Sequence, residues 1–166
     1  AVQLEEIQAR SIRDRSAIHV ATNLFCAVLV LAISFSSAPI WAITSWVGAL
    51  VAYNVIWYTT LRNKDISAGR RATRRDFLEM GRNAGISGVI WGSALPFLGS
   101  YGAMPQWLGI WSVSLAMMVY ASMVIPSLPI AATAFIAIAT LGGFFGWALH
   151  GEYYLAIASA GLCILL

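Results

Sequence analysis

Long apolar runs separated by short polar turns occupy most of the chain. The runs cover residues 17–35, 40–60, 77–99, 107–124, 130–148 and 153–166. A helix needs about 20 apolar residues to cross the hydrocarbon core of a bilayer, and most of these runs come close to that length. The pattern therefore predicts an all-α, polytopic membrane protein with six transmembrane helices, the last of them cut off at Leu166.

The polar residues between the runs predict where each helix ends. The predicted turns are residues 36–39, 61–76, 101–106, 125–129 and 149–152. Pro126 and Pro129 separate the fourth helix from the fifth, because proline removes a backbone donor and clashes with the preceding turn. The turn 61–76 is the only long one, so we expect the other connections to lie close to the membrane surface.

Residues 1–16 precede the first apolar run and mix acidic with basic side chains. Leu4, Ile7 and Ile12 are spaced as on one face of a helix, which predicts a short amphipathic cytoplasmic leader on the membrane surface. A solvated, frayed leader is the alternative. The transmembrane module then comprises residues 17–166.

Composition agrees with a membrane protein. Of the 166 residues, 60% are hydrophobic and 10% are charged, with a mean hydropathy of +0.77. Soluble domains carry about 25% charged residues. The basic pI of 9.1 does not indicate nucleic-acid binding, because the basic residues stand where membrane loops need them rather than along one face.

The positions of the basic residues predict the orientation. All ten lysines and arginines lie in the first half of the chain, and only Glu152 is charged after Arg82. The group proposed to anchor the cytoplasmic side is Arg62, Lys64, Arg70, Arg71, Arg74 and Arg75. Cytoplasmic loops collect such residues, so both termini are predicted to be cytoplasmic. Their electrostatic partner is the anionic inner leaflet, worth about 1 kcal/mol per residue near the surface.

Small residues predict close helix contacts. Three glycine pairs are spaced four apart: Gly81 with Gly85, Gly88 with Gly92, and Gly142 with Gly146. Such pairs open one face of a helix to a neighbour. Asn23 and Asn54 are the strongest polar groups inside the predicted spans, and we expect both to form hydrogen bonds between helices.

Aromatic residues gather at the predicted membrane boundaries. They are Trp41, Trp57, Tyr58, Tyr101, Trp107, Trp147, Tyr153 and Tyr154. Tryptophan and tyrosine favour the membrane–water interface, so these residues are predicted to form interfacial belts.

Five polar residues near the predicted cytoplasmic face are candidates for a signal or lipid contact. They are His19, Asn23, Glu79, Arg82 and Asn83. For Arg82 the alternative is a side chain that extends to the interface and pairs with Glu79.

The sequence offers little enzyme chemistry. Ser87 lies in a Gly-x-Ser-Gly motif typical of rhomboid proteases, but His150 belongs to an outer turn, too far away to act as its base. Two histidines at opposite faces cannot ligate a haem together. The two cysteines have no metal-binding spacing. We therefore expect no catalytic site, cofactor or metal in this chain.

Several short stretches from Arg75 onward carry a family resemblance. They are Arg75-Asp76-Phe77, Ile86 to Gly92, Pro105-Gln106-Trp107, Ser122-Met123, Pro126 and Pro129, Ala134-Phe135 and Gly151. In this order they resemble the six-helix MASE-type membrane sensor modules of bacterial GGDEF/EAL cyclic di-GMP enzymes and some histidine kinases.

The resemblance implies a non-catalytic sensor or anchor in the bacterial inner membrane. The last helix would continue into a cytoplasmic output domain after residue 166, and changed helix packing would alter the geometry of a homodimer. We therefore expect a fragment of a longer protein. The main alternative is a structural accessory subunit of a larger membrane complex. A small transporter or lipid-handling protein is a third possibility.

Overall fold

The computed structural model describes residues 2–63, 74–124 and 129–165, with side chains for 18–60, 78–123, 131–162, 164 and 165. All regular structure in these ranges is helical, which confirms the all-α class. The helices are α1 (Val2–Ser34), α2 (Ile40–Asn63), α3 (Arg74–Leu98), α4 (Met104–Val124), α5 (Pro129–Leu149) and α6 (Tyr153–Leu165), with a short 3-10 turn at Gly99–Tyr101.

Helix α1 runs unbroken through the residues predicted as a separate leader. Its 33 residues include no glycine or proline, so nothing interrupts the backbone hydrogen bonds between leader and span. The predicted boundary after residue 16 is therefore not a break in the backbone. The amphipathic character of the leader depends on side chains outside the described ones.

The other helices follow the predicted runs closely. The largest differences are three residues, at the end of α2 (63 against 60) and at the starts of α3 (74 against 77) and α4 (104 against 107). The added ends contain polar or charged residues such as Asn63, Arg74 and Gln106, so a hydropathy pattern does not register them as helix. The segments 64–73 and 125–128 lie outside the described residues.

The predicted cytoplasmic anchor falls mainly on these undescribed parts. Lys64, Arg70 and Arg71 lie outside the described residues altogether. Arg62 belongs to α2, and Arg74 and Arg75 begin α3, but their side chains are not among those described.

The helices are arranged around α3. It packs along α5 and also contacts α2 and α4, while α6 packs against α5. Helix α1 contacts both α2 and α4. Consecutive contacts therefore link α1 to α2, α2 to α3, α3 to α4, and α4 back to α1, which makes a four-helix ring.

Glycines allow α3 and α5 to approach each other closely. A Cβ atom on Gly88 would lie 2.8 Å from the carbonyl oxygen of Phe135, and one on Gly146 would lie 3.0 Å from Leu95 Cδ2. A Cβ atom on Gly142 would overlap the backbone of Gly92. At Gly85 the corresponding contact, to Ile138 Cδ1, is a looser 3.3 Å. Gly81 lies about one turn earlier on α3.

Helix α5 ends in a glycine turn. Gly151 has φ +84°, a conformation that residues with a side chain rarely adopt. The amide of Glu152 donates to the carbonyl of Trp147 (3.0 Å), and that of Gly151 donates to Ala148 (3.1 Å). This pair of bonds is the Schellman motif, which satisfies carbonyls at the end of a helix.

Two helices in the described part of the chain are long and apolar enough to cross a bilayer. They comprise Ile40–Thr60 and Ala131–Leu149, with shares of 28% and 44% buried within the protein. The stretches Ile18–Ser34 and Tyr153–Leu162 are also apolar but shorter. These two helices are the candidate membrane spans in the described part of the chain.

Candidate functional site

One buried polar side chain joins two helices through its amide. The described residues include seven buried polar side chains: Asn23, Ser34, Asn54, Ser87, Ser114, Thr140 and Ser159. Asn23, on α1, accepts a hydrogen bond at Oδ1 from the indole Nε1 of Trp91 on α3, over 2.8 Å. Both side chains are completely buried. This bond ties α1 to α3 across the ring.

The amide nitrogen of Asn23 completes a chain of hydrogen bonds. Its Nδ2 atom lies 3.0 Å from Nε2 of His19, one turn earlier on α1, and also donates to the backbone carbonyl of His19 over 3.2 Å. The sequence predicted Asn23 to form a bond between helices, and its bond to Trp91 confirms this. The structure therefore connects His19, Asn23 and Trp91 in one hydrogen-bonded series.

The direction of these bonds follows from the chemistry of the groups. An indole N–H can only donate, so the atom of Asn23 facing Trp91 must be the carbonyl oxygen. The other amide atom is then the NH₂ group, which can only donate. His19 Nε2 must accept that hydrogen bond, so the imidazole is neutral with its proton on Nδ1.

Aromatic rings from two further helices surround His19. Its ring centroid lies 5.0 Å from that of Trp57 on α2, at an angle of 55°. Tyr120 on α4 stacks against it, with centroids 5.9 Å apart and planes inclined by 22°. His19 thus contacts α2 and α4 directly and reaches α3 through Asn23, so it joins all four helices of the ring.

The indole of Trp91 is held from α2 as well. Trp46 packs edge-on against it with centroids 5.5 Å apart. The Nε1 atom of Trp46 donates to the backbone carbonyl of Ile90, over 2.9 Å. These contacts fix the indole on the α3 side, so Asn23 meets a positioned donor.

Asn54 behaves differently from the prediction. Its Nδ2 donates to the carbonyl of Leu50 on its own helix, over 2.8 Å, and its Oδ1 has no hydrogen-bond partner among the described residues. Among the described residues, Asn54 therefore forms no hydrogen bond to another helix, and the prediction is wrong there. The carbonyl one turn earlier is always within reach of such a side chain and competes with more distant partners.

The remaining candidates lie in the first turns of α3. The carbonyl of Asn83 accepts a hydrogen bond from the hydroxyl of Tyr53 on α2, over 3.1 Å. Arg82 is exposed and Glu79 is half-buried. Asn83 therefore takes part in the contact between α2 and α3 through its backbone, a role that its side-chain type did not predict.

The opposite end of the bundle carries an aromatic cluster of Trp107, Trp147 and His150. Trp107 lies 5.4 Å from Trp147 and 4.2 Å from His150, measured between ring centroids. Both tryptophans are buried within the bundle, so neither side chain faces outward as a residue of the predicted belt would. Gly99 explains the position of Trp107, because a Cβ atom there would lie 3.1 Å from the indole.

The other predicted belt residues are more exposed. Trp57 is half-buried through its contact with His19, and five side chains are exposed: Trp41, Tyr58, Tyr101, Tyr153 and Tyr154. Whether these five lie at a membrane surface stays a prediction.

The Gly-x-Ser-Gly motif is the place to look for a paired nucleophile and base. Ser87 is buried, and none of the contacts found there joins it to His19 or His150. Groups of three or more metal-ligating side chains are also missing from this region. The arrangement can hold four helices together and can accept a proton at His19.

Sequence reasoning missed Trp57 and Tyr120 as neighbours of His19. His19 stands near the start of the first apolar run, whereas Trp57 and Tyr120 stand near the ends of runs that travel in the opposite direction. All three therefore share one depth in the predicted bundle. This shared depth was the available signal.

In comparisons with known proteins, no family model, curated protein or solved structure matches the chain.

Proposed function

We propose that this chain is a six-helix module of the bacterial inner membrane that senses a signal, or anchors its partner domain, and has no catalytic activity of its own. Both termini face the cytoplasm, and the module regulates a signalling output domain that follows residue 166. The module works as a homodimer. Its surroundings are the lipid bilayer with an anionic inner leaflet.

The observation that carries the membrane assignment is the exposure of the most apolar helices. Only 28% of the apolar window in α2 is buried, although its mean hydropathy is 1.4. The core helix of a soluble protein would be mostly buried. Large apolar side chains such as Phe25, Ile56 and Ile157 are each about two-thirds exposed, at 64%, 64% and 66%. A hydrocarbon environment covers these side chains without a further protein layer.

The distribution of polar groups supports the same assignment. Asn23 and Asn54 are buried inside the bundle, while apolar side chains occupy its outside. Polar groups within a membrane face the bundle interior, because hydrocarbon offers them no partners. Short outer turns leave no room for an extracytoplasmic domain. The signal therefore arrives through the bilayer or from the cytoplasmic side.

The sensor role is supported by the resemblance to MASE-type modules and by the ring around His19. A sensor needs an element whose packing has alternatives, and a coupling of 1–3 kcal/mol is typical. The four helices of the ring are joined through one hydrogen-bonded side chain, His19, rather than through apolar contacts alone. That makes it a suitable place for a change in packing.

Reporter fusions test the membrane arrangement. Alkaline phosphatase, which folds only outside the cytoplasm, is fused after residue 37, 102 or 151, and also after residue 67 or 127. The first three fusions are expected to be active and the last two inactive, with a cytoplasmic reporter giving the reverse pattern. An active fusion after residue 67 would contradict the proposed orientation.

Intact mass and C-terminal peptide mapping of the natural protein test the regulatory role. Peptides that continue beyond Leu166 into a GGDEF, EAL or kinase-like sequence would support the proposal. A natural chain that ends within a few residues of Leu166 would overturn it, since no output domain would then exist to be regulated.

The alternative, an accessory subunit, is favoured by two open helix faces. A Cβ atom on Gly48 of α2 or on Gly161 of α6 would meet no atom within 4 Å, so another helix has space to approach. Purification in mild detergent distinguishes the two functions. An accessory subunit is recovered in fixed proportion with other membrane proteins, whereas a sensor module is recovered with copies of itself.

A further inference from the structure

The hydrogen bonds from Trp91 through Asn23 to His19 leave a single acceptor position at their end. His19 Nε2 accepts from Asn23 Nδ2 over 3.0 Å because it carries no proton. A proton added at this nitrogen turns the acceptor into a donor. Two N–H groups then face each other inside the ring, and the bond between His19 and Asn23 is lost.

Asn23 cannot restore the series by turning its amide. A turn would present its carbonyl oxygen to the protonated His19, but would also place Nδ2 against the indole N–H of Trp91. That pair consists of two donors as well, so the bond between α1 and α3 would be lost instead. In either arrangement one buried hydrogen bond breaks, and the broken bond includes a completely buried partner.

We propose that His19 is a proton-binding site whose occupation weakens the hydrogen-bonded series that joins α1 to α3. The inference rests on the proposed sensor function and names its signal as a rise in proton concentration. In the proposed orientation His19 lies near the cytoplasmic end of its span, and Ile18 beside it is 58% exposed. Protons therefore reach the site from the cytoplasmic side.

The described contacts of His19 reach every helix of the ring. Asn23 meets it on its own helix, Trp57 on α2 and Tyr120 on α4, while Trp91 on α3 is reached through Asn23. Tyr120 is the one titratable group among these contacts. The ring of Trp57, 5.0 Å away, lies within the range in which an aromatic ring attracts a cation.

Among the side chains that the structure describes at this end of α3, the charged ones are Glu79 and Arg82. They lie in the first turns of the helix, whereas Trp91 lies two to three turns further along. A protonated His19 thus loses a hydrogen bond to Asn23 within α1 and gains a cation–ring contact with Trp57 on α2.

Protonation of His19 displaces α1 rather than α3, because the two helices are held by different contacts. Helix α3 is fixed to α5 through glycines that allow no side chain between them, so α3 is the stationary partner. Helix α1 contacts α2 and α4, and its polar link to α3 is the bond between Asn23 and Trp91. Breaking the series therefore changes the position of α1 relative to the paired α3 and α5.

Nuclear magnetic resonance of the ¹⁵N-labelled chain in detergent micelles tests the proposal directly. A His150→Gln background leaves His19 as the one histidine. At neutral pH the His19 ring is expected to show the tautomer protonated at Nδ1. On acidification from about pH 8 to about pH 3, the His19 ring and the indole N–H of Trp91 are expected to shift together, with one midpoint.

Two substitutions separate the coupling from a general effect of acid. In His19→Gln the amide oxygen can accept permanently from Asn23, so the Trp91 resonance is expected to become independent of pH. In Asn23→Leu the histidine still titrates, but Trp91 no longer follows it. Trp111, whose indole on α4 donates to Ser159 on α6, is the internal control and is expected to stay unchanged in all these proteins.

Three results would overturn the proposal: a His19 ring that does not titrate in this range, a ring protonated at Nε2 at neutral pH, or a Trp91 shift that survives in Asn23→Leu. Circular dichroism checks that each variant folds. If a variant fails to fold, the His19 tautomer and the shared titration midpoint of His19 and Trp91 in the His150→Gln protein decide whether the proposal holds. The measurement needs no output domain, so it can succeed or fail independently of the regulatory role.

Discussion

Gly142 on α5 lies directly against the backbone of Gly92 on α3, with no space for a side chain between them. The two helices are in contact here through their main chains rather than through side chains. Such an approach lets backbone atoms of both helices gain van der Waals contacts that larger residues would prevent. This contact makes α3 and α5 the most tightly joined pair in the structure.

Gly142→Ala is expected to lower the free energy of unfolding by about 1–3 kcal/mol, because the new methyl group forces backbone atoms apart. Thermal unfolding in detergent, followed by circular dichroism, measures the effect. Gly48→Ala is the matched control, since a Cβ atom there meets nothing within 4 Å. The control should be neutral or slightly stabilising. Equal losses in both variants would show that the close contact is not what matters.

Trp91→Phe is expected to be more destabilising than Trp147→Phe. Both tryptophans are completely buried, so each substitution leaves a similar space. Of these two tryptophans, Trp91 donates to a side chain, and its loss leaves Asn23 Oδ1 without a donor. The Trp147 indole N–H has no hydrogen-bond partner in the described structure. The additional cost is about 1–3 kcal/mol. Chemical unfolding of the two variants in the same detergent compares them, and an equal cost would contradict the importance of the bond.

Val51→Lys is expected to reduce membrane insertion sharply. Val51 is 41% exposed near the middle of α2, where a lysine in hydrocarbon costs about 2.5–3.5 kcal/mol. Tyr58→Lys, near the end of the same helix, is the control because its charge can reach the interface. Membrane-fraction yield and thermal stability provide the readout. In a water-soluble protein both changes would stay within about 0.5 kcal/mol, so two mild effects would count against the bilayer assignment.

Gly151→Ala is expected to destabilise the turn between α5 and α6 by about 1–2 kcal/mol, because its φ of +84° crowds a Cβ atom against the following carbonyl. Gly161→Ala provides the comparison. Gly161 lies inside α6 with open space around it, so alanine there should favour the helix. The melting temperatures of the two variants should therefore move in opposite directions.

The helices could be predicted because each apolar run ends at a physical obstacle that is visible in the sequence. Pro39 precedes α2, and Gly151 follows α5 with a left-handed conformation. The continuity of α1 was not predicted, because a change from charged to apolar side chains looks like a boundary even where the backbone continues. Hydropathy describes the surroundings of a helix, whereas its length depends on backbone hydrogen bonds.

The site was predictable only in part for a similar reason. The spacing of His19 and Asn23 on one helix face is local, and both were candidates. Their partner Trp91 lies 68 positions from Asn23, and no local pattern specifies which indole meets which amide. Trp107 illustrates the limit again, since its burial depends on Gly99 in a different element. Which residues of different helices come into contact depends on how the helices pack, and a single sequence does not show that packing.

The unbroken α1 extends about twice as far on the Val2 side of Asn23 as on the Ser34 side. Its 33 residues span about 50 Å, and Asn23 divides them unequally. The arm from Asn23 to Ser34 is about 17 Å long, and the arm from Asn23 back to Val2 is about 32 Å long. A tilt of about 10° about Asn23 carries the far end of the long arm through about 5 Å, roughly twice the travel of the short arm. Small movements near Asn23 are thereby enlarged at the Val2 end of the helix.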